Sequence, residues 1–144
     1  MSEFLHHKRW VWVEGRALGV PVWNLVTHDL SKLLPDEWLA SVRFARGQRA
    51  LSPTGKDASR RALERHQHRN RHHPQAWLVA GEPAPMSDAC RREMLADWRA
   101  VGHRQESMST RAWYVANRHR LPLHPETRAW VERELRVVDE EASE

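Results

Sequence analysis

Apolar residues recur every three or four positions along most of the chain, and alternating β-branched runs are absent, so the pattern predicts an all-α protein. A first helix is predicted from Glu3 to Leu18, with Leu5, Val11, Ala17 and Leu18 facing inward and Gly19 and Pro21 ending it. A second runs from Val22 to Leu33, and Pro35 opens a third that carries Trp38 and Phe44. The fourth starts at Asp57 or Ser59 and reaches Arg71. Ser87 is a good N-cap for a fifth, Asp88 to Val101, whose Met94, Leu95, Trp98 and Val101 mark a buried side. Two more follow, one from Thr110 to His119 and one opened by Pro125 and running to Val138. The expectation is a single compact helical domain of about six or seven helices over residues 1–138, with an acidic tail at 139–144.

Two connections interrupt this pattern. The polar stretch from Arg46 to Lys56, with Gly47, Pro53 and Gly55, reads as a loop and a candidate lid. Between His73 and Pro85 the apolar Trp77-Leu78-Val79 is expected to fold back on the core, where it can wall a site.

Composition narrows the class. A chain of 144 residues can bury a real core as one domain. Lys+Arg number 23 against 19 Asp+Glu, a formal charge of +4, and nearly all the cations are arginine. The arginine fork suits phosphate and carboxylate oxygens, so an anionic substrate or nucleic acid is an expected partner; a solvated basic surface is the plainer reading. The single cysteine, Cys90, excludes an intramolecular disulfide. No apolar segment has the length of a signal peptide core or a membrane span, so a cytoplasmic protein without a membrane partner is expected. The tryptophan-rich helices fit a monomer or a homodimer.

The candidate chemistry lies in metal-type donors: His7, His28, Asp29, His66, His72, His73 and Asp97. His28 and Asp29 are adjacent. Neighbours on a helix diverge by about 100°, yet both can reach a metal lying beside it, and a carboxylate can bridge two ions. His66, Asn70 and His73 fall at i, i+4 and i+7, one stripe of a helix, and Lys32 shares a face with His28. Glu93 precedes Asp97 by one turn, either as an acceptor behind the ligands or, more plainly, as a surface residue. His6 competes with His7. His103 and His119 read as surface or capping residues and His124 as a helix-start residue. Of the eight tryptophans, Trp10, Trp98 and Trp130 are expected in the core, and Trp77, close to the histidines, is the candidate base contact.

These residues carry a resemblance. The order His7, His28-Asp29, His66, His72-His73, Asp97 resembles that of the HD-domain metal-dependent phosphohydrolases, and the extra histidines resemble its two-metal branch, which includes the HD-GYP phosphodiesterases. The segment His28-Asp29-Leu30-Ser31-Lys32 is similar to the His-Asp-x-x-Lys signature, with serine where glycine is usual and no GYP tripeptide, so cyclic-dinucleotide specificity does not carry over. The stretch from His7-Lys8 to His124-Pro125-Glu126-Thr127 also resembles a small uncharacterised domain family of bacteria and their phages.

The resemblance implies an HD-like fold and two divalent ions, of manganese, iron, magnesium, zinc or a similar metal. His7, His28, Asp29 and Asp97 would hold the first, with Asp29 bridging to a second held by His66 and one of His72 and His73. Asn70 would orient a ligand or water, and Lys32, with an arginine such as Arg69 or Arg71, would hold phosphoryl oxygens. The implied activity is hydrolysis of a small phosphate-containing substrate such as a nucleotide, by phosphomonoesterase or phosphodiesterase chemistry. The alternatives are a di-iron oxygenase of the same superfamily and a non-catalytic accessory protein that binds nucleic acid or protein.

Overall fold

The computed structural model describes residues 2–34, 53–104 and 108–137. Among them the chain forms six α-helices: α1 (Ser2–Ala17), α2 (Val22–Thr27), α3 (Pro53–Arg69), α4 (Asp88–Arg104), α5 (Thr110–Asn117) and α6 (Pro125–Leu135). Short 3₁₀ turns cover Leu30–Leu33, Pro74–Trp77 and Arg118–Arg120. The domain is all-α, as the periodicity predicts. The helix expected after Pro35, the 46–52 part of the expected lid and the 139–144 tail lie outside the described residues.

The fold is organised on α4. Its residues Glu93, Met94, Leu95 and Ala96 are all buried, more than one helix face can account for, so α4 is covered from several sides. On one side Met86, Cys90, Met94 and Leu95 meet Tyr114 of α5 and Trp130, Val131 and Leu135 of α6 in the larger core. On another, Ala100 meets Val11 of α1 and Val20 and Leu25 around α2 in a smaller one. The remaining face of α4 carries Glu93 and Asp97, one turn apart, and is the floor of the site described below.

The ends of the helices follow from local chemistry. At the end of α1, the Val20 N–H donates to the Gly15 carbonyl over 2.8 Å and the Gly19 N–H to the Arg16 carbonyl over 3.3 Å, with Gly19 at φ 72°. This double return needs a left-handed residue, which glycine adopts without strain, and it tucks Val20 into the core. Ser87 caps α4 through its hydroxyl, which accepts from the Cys90 N–H at 3.4 Å. His124 opens α6 in the same way, its Nδ1 accepting from the Glu126 N–H at 3.2 Å.

Several expectations need correction. The second helix does not run to Leu33: α2 stops at Thr27, His28 is extended (φ −50°, ψ 123°) and Asp29 is left-handed (φ 58°, ψ 18°). Helix α3 begins at Pro53, four residues earlier than Asp57, so residues 53–56 are helical and not loop; it ends at Arg69, and Asn70 lies beyond it. The 73–85 connection holds a two-residue hairpin, Leu78–Val79 against Glu82–Pro83, turned by Ala80 and Gly81 at positive φ. Leu5 and Ala17 are exposed, as is Val101, because α1 and α4 present those faces to no other described element. Trp10 is half-buried at the edge of the smaller core and stacks on His103, ring centroids 3.9 Å apart.

Candidate metal centre

The break after α2 builds the site. Were Val22–Leu33 one helix, His28 and Asp29 would point about 100° apart. The extended His28 and left-handed Asp29 instead turn both side chains inward, where they are 2% and 3% exposed. Aspartate is among the few non-glycine residues that tolerate this backbone conformation.

Around this pair the fold gathers every donor expected from the sequence. Helix α1 brings His7, the end of α3 and the turn after it bring His66, His72 and His73, and α4 brings Asp97. His7 Nε2 lies 3.0 Å from Asp97 Oδ1, and His28 Nε2 is 3.7 Å from the same oxygen and 3.6 Å from Asp29 Oδ2. On the other side, His66 Nε2 and His72 Nε2 each lie 3.3 Å from Asp29 Oδ1, and His73 Nε2 is 3.1 Å from His66 Nε2. Three sets of donors have one ligand atom per residue inside 4.8 Å of the others: His7, His28 and Asp97; Asp29, His66, His72 and His73; and His28, His72 and Glu93, of which the first two are the donor groups facing Asp29. Asp29 stands between them, Oδ2 toward His28 and Oδ1 toward His66 and His72. His6 is exposed, accepts from the Trp10 indole N–H at 3.1 Å and belongs to neither group.

Behind the donors lies Glu93, buried and not on the surface as its plainer reading had it. Its Oε1 is 2.9 Å from His28 Nδ1 and 3.3 Å from His72 Nδ1, and its Oε2 accepts from Asn24 Nδ2 at 3.0 Å. An ionised carboxylate can only accept, so both histidines donate from Nδ1 and turn Nε2 toward the site. Asn70 acts on the other group: its Nδ2 donates to Ser31 Oγ at 2.7 Å and to the His66 carbonyl at 2.8 Å, and Ser31 Oγ lies 3.1 Å from His66 Nδ1. Sequence reading missed Asn24 and Ser31. Asn24 stands four residues before His28 and Ser31 two after Asp29, a local spacing that places both beside the pair.

Electrostatics suit a cation. Burial opposes ionisation of Asp29, but His66, His72, His28 and Lys32 outweigh it and hold the carboxyl far below its ordinary range. Burial likewise opposes Asp97, which His28 and His7 hold well down. Glu93 resists its burial through the same histidines and falls to about 2. In return, burial pulls His72 down while Asp29 and Glu93 more than offset it, to about 9, and His28 is raised against its burial by Asp97 and Glu93. His73 is pushed down to about 3 by burial and by His72. Three carboxylates, Asp29 and Glu93 buried and Asp97 half-buried, thus stay ionised around a common space.

Three buried atoms there, His28 Nε2, Asp29 Oδ1 and His72 Nε2, make no hydrogen bond of good geometry, although His72 Nε2 and Asp29 Oδ1 stand 3.3 Å apart. Buried polar atoms rarely stand unpaired, and these three are imidazole nitrogens and a carboxylate oxygen aimed at shared space. The residues therefore fit a bound divalent metal, with nitrogen and oxygen donors in both groups.

The rim carries the remaining candidates. The Lys32 ammonium, about a third exposed, pairs with Asp29 Oδ2 and not with His28, because the helix break shifts it off the expected shared face. Arg69 and Arg71 are exposed. The Arg71 guanidinium lies 4.3 Å from the Trp77 ring centroid, and the Trp77 indole N–H donates to the Arg71 carbonyl at 2.7 Å. Trp77, half-buried against the larger core, thus has Arg71 over its ring.

No helix among the described residues is long and apolar enough to cross a membrane. No curated protein and no solved structure matches the chain. A family model does match, over residues 1–137, and by it the chain belongs to DUF5662, a family of unknown function.

Proposed function

We propose that the protein is a divalent-metal phosphohydrolase acting on a nucleotide or a related phosphate ester. One observation carries the reading: Asp29 is a single ionised carboxylate whose two oxygens face two separate histidine groups. Support also comes from the chain order His7, His28-Asp29, Asp97, which resembles the HD-domain phosphohydrolases.

In this reading His7, His28, Asp97 and Asp29 would hold one ion, and Asp29, His66 and His72, with His73 beside them, would hold the other. Bound there, divalent metal would acidify a water and offset the negative charge that develops on the phosphoryl group. The chain's own residues do the rest. Glu93 keeps Nε2 of His28 and His72 directed inward, and Asn70 with Ser31 fixes the His66 ring. Lys32, at the rim, moves from Asp29 to a phosphoryl oxygen as substrate arrives, and Arg69 and Arg71 add exposed positive charge for the rest of the anion.

The test is metal titration of chelator-treated protein beside Asp29→Asn, followed by assays with aryl phosphate mono- and diesters and nucleotides. About two equivalents of metal, with ester hydrolysis that both chelator and the variant abolish, is the expected result. A fully metal-loaded protein inert toward every ester sinks the phosphohydrolase reading, and a redox-active di-iron spectrum would replace it with oxygen chemistry. Protein that binds no metal leaves only a binding role.

A further inference from the structure

We infer that Lys8 is a positioning residue for this centre: it ties α1 to the broken end of α2 and thereby sets where His28 and Asp29 stand relative to His7. The inference rests on the metal-centre reading and adds to it a residue outside both donor groups.

Helix α2 has six residues, and the last four carbonyls of any α-helix lack a partner within it. The Thr27 hydroxyl donates back to the Trp23 carbonyl at 2.9 Å and reaches the Asn24 carbonyl at 3.4 Å. The Val26 carbonyl is met from outside, by Lys8 Nζ at 2.8 Å, and the same ammonium lies 3.5 Å from the His28 carbonyl. Lys8 therefore spans the backbone step at which α2 stops and the chain turns His28 and Asp29 inward. A cation at a helix C-terminus also meets the negative end of the helix dipole.

The position of Lys8 on α1 gives the tie its use. Its neighbour His7 reaches Asp97, so consecutive residues of one helix supply a donor and hold the strand of chain that supplies two more. The His7 and His28 rings stand 5.8 Å apart, and no hydrogen bond joins them among the contacts described. Their spacing depends on how α2 is docked on α1. Leu25 packs against Gly15 further along the pair, and Lys8 fixes the end nearest the metal donors.

The experiment compares manganese affinity and the visible spectrum of the cobalt-substituted protein in wild type, Lys8→Met and Lys8→Arg. Methionine keeps much of the aliphatic stem and removes the donor. Lys8→Met should bind manganese about tenfold more weakly, as loss of an outer contact does at other metal centres, and should shift the cobalt spectrum. Lys8→Arg, still able to donate to both carbonyls, should recover most of the affinity. Thr127→Val supplies the control for plain destabilisation, because Thr127 Oγ1 accepts from the buried Met86 N–H in the larger core. It should lower Tm and leave affinity and spectrum alone. Unchanged affinity in Lys8→Met, or a loss that Thr127→Val reproduces, overturns the positioning role while the metal centre stands. Wild-type protein that binds neither metal overturns both.

Discussion

His28 Nδ1 lies 2.9 Å from Glu93 Oε1, across 65 residues of chain, and the same oxygen serves His72 Nδ1 at 3.3 Å. One buried carboxylate thus orients a histidine of each donor group. Glu93→Leu should weaken metal binding about 10- to 100-fold, the usual range when the partner of a ligating histidine is lost. The variant should keep its helical circular dichroism, since α4 tolerates leucine well. Glu93→Gln retains an oxygen acceptor and should lose less. Metal titration with the helical signal as reference checks both, and equal affinity in wild type and Glu93→Leu would remove Glu93 from the centre.

Asp29 provides a thermal readout. A ligand that binds only the folded state at a hundredfold excess over its Kd stabilises by about 2.7 kcal/mol, or about 8–10 °C in Tm for a chain of this size. Wild type should gain about this much with saturating manganese and lose it with chelator. Asp29→Asn should gain little. Asparagine is the informative choice because it also tolerates the left-handed φ of 58°, so the result is not confounded by backbone strain. A full manganese shift in the variant would show that Asp29 is not a ligand.

Much of this centre is legible in sequence because its donors have few other uses. All seven expected donors converge, and helix periodicity with Gly19 places α1 correctly to within a residue or so. What escapes is the geometry between elements. The apolar pattern of Val22–Leu33 reads straight through the break, since Val22, Val26, Leu30 and Leu33 keep helical spacing whether or not His28 and Asp29 are helical. Glu93 looks like any charged residue one turn from Asp97; its burial depends on Asn24 and His28, 69 and 65 residues away. Leu5 and Val101 fail as core residues for the same reason: a periodic apolar position says nothing of what packs on it.

Gly15 tests the docking of α2 on α1. A Cβ there would stand 2.4 Å from Leu25 Cδ2 and 3.3 Å from its Cδ1, and Leu25 is 1% exposed, so its side chain would have to repack within the core. Alanine gains about 1 kcal/mol of helix propensity over glycine, but overpacking a filled core costs about 1–3 kcal/mol. The clash should win, so Gly15→Ala should lower the denaturation midpoint with its m-value unchanged. A more stable variant would mean that Leu25 repacks freely.

Tyr114 is the single tyrosine, so its ionisation can be followed directly by the tyrosinate absorbance. Burial, the hydrogen bond it donates to Glu132 Oε1 at 3.0 Å and that carboxylate's charge raise it from 10.0 to about 12. A group with a raised folded pKa binds its proton more tightly in the native state. Its contribution to stability is therefore complete below pH 10 and is lost as pH climbs toward 12. Spectrophotometric titration of the folded protein should give a midpoint near 12, moving down toward 10 in Glu132→Gln. Tyr114→Phe should flatten the fall in stability over that interval, measured against the wild-type curve at each pH. A wild-type midpoint at 10, or an unchanged curve in Tyr114→Phe, would mean that the phenol is not held against Glu132.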